Sequence, residues 1–165
     1  MSLKDLGQEL DIVSAFVPVD LKTGANDGDW VSLENYRRCS FVLFKGAGSV
    51  TEAPTITIEQ AKTAAGSNAK TIAFTTIYKK QSQDLATTGQ FTKVTQTAAG
   101  TFTETSLGTD LAIVVIGVNA EDLDVENDFK FVRGRVADPG TTAQIGAGLY
   151  ILTSPRYTPP PSALA

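Results

Sequence analysis

The chain has 165 residues, a formal net charge of −4 and a sequence pI near 4.8. This length suits one domain with a substantial core, and the acidic balance argues against nucleic acid or an anionic membrane as a partner. Because the chain contains no histidine, it lacks the commonest general acid or base, the commonest metal ligand and every Ser-His or Cys-His catalytic pair.

A single cysteine, Cys39, excludes an intramolecular disulfide, so we expect packing alone to hold the fold. Cys39 lies in an apolar run and is predicted to be a small buried residue. No apolar stretch reaches the ~20 residues that span a bilayer, and the acidic N-terminus lacks the apolar region of a signal peptide. We therefore expect neither a membrane partner nor secretion.

The first predicted element is an N-terminal arm over residues 1–11. Leu3, Leu6 and Leu10 recur at spacings of three and four, which favours a short amphipathic helix. Such a short helix is unstable alone in water, so an ordered arm must pack on its own domain or on a partner.

Short strands punctuated by Gly, Asn, Asp or Pro make up most of the remaining chain. Pro18 marks an edge strand or a strand end, residues 23–29 form a turn cluster, and the very apolar residues 111–118 form a central strand. One helical turn is predicted over 60–65, and a hairpin over 91–105. Predicted strands cover residues 12–19, 30–33, 38–45, 55–59, 70–79, 91–97, 101–105, 111–118, 129–136 and 149–153.

This spacing of short strands predicts an all-β fold, an antiparallel β-sandwich or barrel with little room for helices. The predicted domain organisation is an N-terminal arm over residues 1–11, a β-sandwich domain over 12–157 and an extended, Pro-rich tail over 158–165.

Candidate chemical sites have simpler structural interpretations. The acidic residues 121–128 and the turn residues 26–29 could ligate Ca²⁺, but neither has the spacing of a calcium loop, and solvated loops explain both. Gly46 and Gly48 lack the Lys-Ser/Thr end of a phosphate-binding loop. A hydrolase with an all-carboxylate site has no specific signal. We expect no catalytic residue, no metal site and no cofactor.

Three segments resemble the small head proteins of tailed bacteriophages, the cement or decoration proteins of the capsid. They are GDWVSLENY (residues 28–36), FVLFKGAG (41–48) and TITIEQA (55–61), and the resemblance extends over about residues 10–135. It implies a β-sandwich, often jelly-roll-like, that binds the major capsid protein on the outer surface of the virion as a dimer or trimer. Assembly would take place in the host cytoplasm.

Partner-binding residues are predicted from this resemblance and from the surface character of the chain. Low charge and strands that are apolar on both faces suit a protein packed against copies of itself or a larger assembly. Both termini are predicted to order on binding, and residues 38–45 to add an apolar face to a contact. The predicted contact residues are Leu3, Leu6, Leu10, Phe41, Leu43, Tyr157, Pro159 and Pro160.

The alternative function is a non-catalytic adhesion module, a carbohydrate-binding β-sandwich on a virion or cell surface. Such modules present coplanar exposed aromatic rings, and Trp30, Tyr36, Tyr150 and Tyr157 are the candidates.

Overall fold

A computed structural model describes residues 6–157 and 162–164. Five short 3₁₀ turns and one helical turn accompany twelve strands in the described part. No helix described there is long and apolar enough to cross a membrane. The elements are α1 (Leu6–Glu9), β1 (Leu10–Asp20), β2 (Asn26–Asp27), β3 (Val31–Ser32), β4 (Tyr36–Lys45), β5 (Thr55–Ala61), β6 (Lys70–Thr71), β7 (Phe74–Ser82), β8 (Thr92–Ala99), β9 (Thr101–Thr103), β10 (Leu111–Asn119), β11 (Phe131–Val136) and β12 (Ile145–Pro155).

The strands form two antiparallel sheets with a hydrophobic core, which confirms the predicted all-β, sandwich-like class. Sheet A has the order β1-β12-β4-β10-β7-β8. Sheet B has the order β2-β11-β5-β6, with β3 also paired to β11 and β9 to β5.

The long-range strand pairs are nested. β1 pairs with β12 in sheet A, and β2 and β3 pair with β11 in sheet B. Next, β4 pairs with β10 in sheet A, and β5 pairs with β9 in sheet B. The chain therefore resembles one long hairpin whose successive strand pairs alternate between the two sheets.

The alternation of buried apolar residues with outward-facing residues explains why β5 and β10 form strands. In β5, Ile56 and Ile58 are buried while Thr55 and Thr57 face outward. In β10, Val114 and Ile116 are buried, and the strand lies between β4 and β7. β-Branched side chains suit such a pleated, packed surface. The predicted central position of residues 111–118 is confirmed.

The N-terminal residues also follow the prediction in part. Residues 6–9 form one helical turn, and β1 then begins at Leu10. β1 is an edge strand, and Pro18 lies where its register with β12 is interrupted between Phe16 and Val19. A proline is tolerated there because an edge bulge requires no ladder hydrogen bond from it.

Three local predictions are wrong. Residues 70–79 are not one strand, because β6 and β7 belong to different sheets and the chain crosses between them at Ile72. The amide of Ile72 donates to the Ile58 carbonyl at 2.9 Å. β9 pairs with β5 and not with β8, so the hairpin predicted over 91–105 does not form. Gln60 and Ala61 continue β5, so no helix begins at Gln60.

The end of the described chain packs on the sandwich. Ala163 is buried in the hydrophobic core, and its carbonyl accepts a hydrogen bond from the Ser32 amide at 2.9 Å. The tail predicted as extended over 158–165 therefore includes a residue docked against β3. Its residues 158–161 and 165 lie outside the described residues.

Candidate functional site

The outward face of sheet A is apolar across four neighbouring strands. One row of paired residues runs through Leu149, Val42, Val115 and Tyr78, from β12 to β7. An antiparallel sheet at a protein surface normally alternates apolar residues toward the core with polar residues toward solvent. Here the solvent side carries aliphatic and aromatic side chains as well.

A second row lies beside the first and has the same character. Ala147 pairs with Phe44, and Phe44 pairs with Ile113. Phe44 is 51% exposed, and Leu149 in the first row is 39% exposed. We call the outward apolar residues of these strands the apolar face: Ile12, Val42, Phe44, Tyr78, Leu111, Ile113, Val115, Ile145, Ala147, Leu149 and Ile151.

The outward face of sheet B is polar, and several of its charged groups form ion pairs within the chain. Arg133 Nε lies 2.6 Å from a Glu59 oxygen, and Arg135 Nε lies 2.7 Å from an Asp27 oxygen. The hydroxyls of Thr55 and Thr103 are 2.6 Å apart. The two sheets therefore present opposite surfaces, and only the face of sheet A combines exposure with apolar character over several strands.

A shallow depression of about 280 Å³ continues the apolar face at one end. Its lining is almost entirely carbon, from Pro18 on β1, Phe44 on β4, Leu111 on β10 and Ile145 on β12. A depression of this type can receive an apolar side chain from a partner, as buried anchors do in protein interfaces.

Polar and charged groups border the apolar face. Along β4 the outward residues change from Phe44 and Val42 to Ser40 and then Arg38. On the other side, Tyr78 pairs with Lys93 on the edge strand β8, and Lys80 lies over the ring of Phe91 at 4.8 Å. An apolar centre with a charged rim is the usual anatomy of a protein–protein interface.

The structure places the predicted contact residues in different environments. Phe41 and Leu43 are 2% and 0% exposed, so they are core residues and cannot contact a partner in this fold. The prediction selected the wrong face of β4, since Val42 and Phe44 are the residues that point outward.

Of the terminal contact residues, Leu10 shares the outward side of β1 with Ile12 of the apolar face, and the others lie outside the strands of that face or outside the described residues. Leu10 begins β1 and pairs with Thr153, Leu6 lies in α1, and Tyr157 is exposed after β12. Leu3, Pro159 and Pro160 lie outside the described residues.

The four aromatic residues predicted for sugar stacking do not form an exposed platform. Tyr36 and Tyr150 are fully buried. Trp30 is half-buried, and the Arg133 guanidinium lies 4.7 Å from its ring centroid. Of the four candidates for sugar stacking, only Tyr157 is fully exposed. The arrangement gives no specific support to the carbohydrate-binding alternative.

The acidic loop candidates are engaged within the chain. Residues 120–122 and 125–127 form 3₁₀ turns. An Asp122 oxygen accepts from the Asn119 amide nitrogen at 2.8 Å, and Asp124 forms an ion pair with Lys70. The Lys70 ammonium lowers the pKa of the Asp124 carboxyl, with a further contribution from the Asn127 side chain. Among the described residues, no cluster of three His, Cys, Asp or Glu could hold a metal ion.

Of two ionisable groups buried inside the sandwich, Lys45 donates hydrogen bonds to backbone carbonyls, and Cys39 has no neighbouring group among the described residues that could activate it for chemistry. Lys45 is buried, and its Nζ donates to the carbonyls of Leu107 at 2.5 Å and Asp110 at 2.9 Å. Burial lowers the pKa of the Lys45 ammonium to about 8. Burial also raises the pKa of the Cys39 thiol to about 12, so this thiol is a protonated core residue at neutral pH.

Glu52 ties a long loop to the sandwich near the depression. Its carboxylate accepts hydrogen bonds from the amides of Thr141 at 2.8 Å and Thr142 at 2.7 Å. These bonds lower the pKa of Glu52 to about 2. The Gln144 side chain, fully buried, donates to the Glu52 carbonyl. These contacts hold residues 141–144 as they lead into β12.

No protein-family model matches the chain, and no curated protein is significantly similar to it.

Proposed function

We propose that this chain is a structural virion protein that binds the outer surface of a phage capsid and stabilises the shell by bridging major capsid protein subunits. The observation that supports the proposal most is the apolar face of sheet A. Contiguous exposed apolar surface of this kind marks an interaction site, because a monomer gains nothing from keeping it in water. The resemblance of residues 10–135 to capsid cement proteins supports the major capsid protein as the partner in this proposal.

The proposal assigns the protein no catalytic role. It needs no cofactor, nucleic acid or membrane, and the protein works as a dimer or trimer. The residues of the apolar face replace Phe41 and Leu43 as the proposed contacts. A standard-sized interface buries roughly 1,200–2,000 Å², and the many copies on a shell multiply even modest contacts through multivalency.

The proposal includes a jelly-roll-like topology. A jelly roll consists of two packed sheets built from Greek-key connections. Two features support this assignment: β1 lies beside β12, and the nested strand pairs alternate between sheet A and sheet B. β10 is inserted between β4 and β7, which would make the fold an expanded variant.

The test uses heads assembled from the major capsid protein encoded in the same genome. Two variants, Phe44→Glu and Leu149→Glu, place a charge on the apolar face. Burying an unpaired carboxylate is costly, so each variant should weaken co-sedimentation with heads by at least about tenfold. Thr57→Glu is the matched control, because Thr57 lies on the outward face of sheet B. Wild-type binding by both folded face variants would remove the basis of the proposal.

A further inference from the structure

Three of the five arginines in this chain line a single depression at one end of sheet A. Arg37 and Arg38 lie near the start of β4, and Arg156 follows the end of β12. All three side chains are exposed. The depression has a volume of about 330 Å³, which falls within the range of roughly 300–1,000 Å³ typical of ligand pockets.

The fold brings these residues together through strand pairing. Arg38 pairs with Asn119 on one side and with Thr153 on the other. Ser154 has a left-handed φ of 56°, and after it the amide of Arg156 donates to the Asn35 carbonyl at 2.8 Å. The two sheet neighbours of Arg38 thus deliver Asn119 and Arg156 to the same end of the molecule.

These three arginines differ from the other two arginines of the chain, which are paired with carboxylates on the outward face of sheet B. Arg133 and Arg135 form ion pairs with Glu59 and Asp27. Within residues 6–157 and 162–164, no ion pair is formed by the three arginines of the depression. Glu121 also lines the depression, but it too forms no ion pair there. Three guanidinium groups against one carboxylate leave the lining of this depression net positive, which favours binding of an anion.

A second, apolar groove of about 260 Å³ adjoins this depression. The two share Ala120, Glu121 and Arg156. Most of the surface of this groove is apolar and comes from Leu33, Leu123, Val125 and Phe129, and the ion-paired Glu34 and Lys130 also line it. Val125 is 61% exposed, so part of this lining faces solvent. Together the two features form a composite groove, with guanidinium groups at one end and carbon at the other.

We propose that this composite groove binds an acidic segment of a protein partner, with side-chain carboxylates on the three arginines and neighbouring apolar side chains in the adjoining groove. The planar guanidinium group binds carboxylates through paired hydrogen bonds. Phosphate has similar geometry, but the net charge of −4 disfavours an extended polyanion such as nucleic acid. The apolar part of the groove matches peptide side chains better than a sugar–phosphate chain. This inference does not depend on the proposed capsid function.

The test measures binding of a short fluorescein-labelled peptide that repeats Glu-Leu-Ser, by fluorescence anisotropy at low salt. A matched peptide that repeats Gln-Leu-Ser removes the carboxylates. A labelled single-stranded oligothymidylate offers phosphates instead. We expect the acidic peptide to bind best, and its affinity to fall with added NaCl because exposed charges are screened.

The variant Arg37→Gln/Arg38→Gln/Arg156→Gln should weaken binding of the acidic peptide by about tenfold or more, since three exposed pairs of a fraction of a kcal/mol each are lost. The control Lys22→Gln/Lys80→Gln/Lys93→Gln removes the same charge elsewhere and should bind normally. Circular dichroism checks the folding of both variants.

Equal binding of the two peptides, equal loss in both triple variants or tighter binding of the oligonucleotide would each overturn the inference. A third variant, Val125→Asn, tests the apolar groove alone, because it adds no charge, and should weaken binding of the acidic peptide while leaving the arginines in place. If Val125→Asn has no effect, the composite groove is wrong.

Discussion

The hydroxyl of Tyr150 accepts a hydrogen bond from the backbone amide of Gly134 at 2.9 Å. Tyr150 belongs to β12 in sheet A, and Gly134 belongs to β11 in sheet B, so this bond crosses the core of the sandwich. Gly134 is also in close contact with Phe41, since a Cβ added at Gly134 would lie 2.3 Å from that ring. The pair therefore fixes the spacing of the two sheets at this point.

Replacing Tyr150 with phenylalanine should destabilise the fold by about 1–3 kcal/mol, because the Gly134 amide would be left buried without a partner. Urea denaturation measures the change in the free energy of unfolding. Tyr157→Phe is the control, since Tyr157 is exposed and its hydroxyl is free to bond with water. Equal stability of the two variants would contradict the role assigned to the Tyr150 hydroxyl.

Titration of Lys45 should make the free energy of unfolding increase with pH. The pKa of this ammonium is about 8 in the folded protein and near its ordinary value of about 10.4 when unfolded. Between these values the unfolded chain binds more protons, so the free energy of unfolding increases with pH, by no more than about 3 kcal/mol. Cys39 acts oppositely above pH ~9, because its folded pKa is raised.

The Lys45 contribution is therefore measured as a difference between wild type and Lys45→Met, in which the Cys39 contribution cancels. Urea denaturation from pH 7 to 10 should show the wild type gaining stability relative to the variant. A constant difference over this range would show that Lys45 does not titrate with a lowered pKa.

Acid should weaken the contact that Glu52 makes with residues 141–142. The pKa of Glu52 is about 2 in the folded protein, below its ordinary value of 4.5. Its stabilising contribution is complete above pH ~5 and is lost as the pH falls toward 2. Glu52→Gln should show a flatter stability profile than wild type over this range in thermal denaturation. Parallel profiles of the two proteins would refute the assignment.

Cys39 should be inert toward Ellman's reagent in the native protein at pH 8. The thiol is buried and its pKa is raised to about 12, so neither access nor thiolate is present. Unfolding in guanidinium chloride should make it fully reactive. Rapid reaction of the native protein would mean that the core around β4 opens readily.

Local patterns in the sequence identify most of the strands, because alternation and β-branched content reflect burial on one face. The strand over residues 55–59 is an example, since Ile56 and Ile58 alternate with threonine. Which strands pair with one another is harder to predict from the sequence. β9 resembles the second half of a hairpin in sequence, yet it joins β5, because burial of Phe102 in the core between the sheets depends on distant residues.

Prediction of the candidate site from local sequence patterns is limited in the same way. Residues 38–45 and 111–118 are apolar on both faces, and this pattern predicts that each strand packs against other residues on both of its faces. It does not say which face lies inside. Phe41 and Phe44 are equally apolar residues, and only the packing of β4 against sheet B places Phe41 in the core and Phe44 in solvent. The arginine depression has no local signal, because Arg156 is far from Arg37 and Arg38 along the chain.

The nested pairing of β1 with β12 has a consequence for synthesis. β1 occupies residues 10–20, and among the strands that the structure describes, its neighbour in sheet A is β12, formed by residues 145–155. During translation both edges of this first strand stay unpaired until β12 has left the ribosome. Contacts of such long sequence separation slow folding, and the exposed apolar strands are prone to aggregation in the interval. The yield of native protein in cells should therefore depend on chaperones that shield nascent chains.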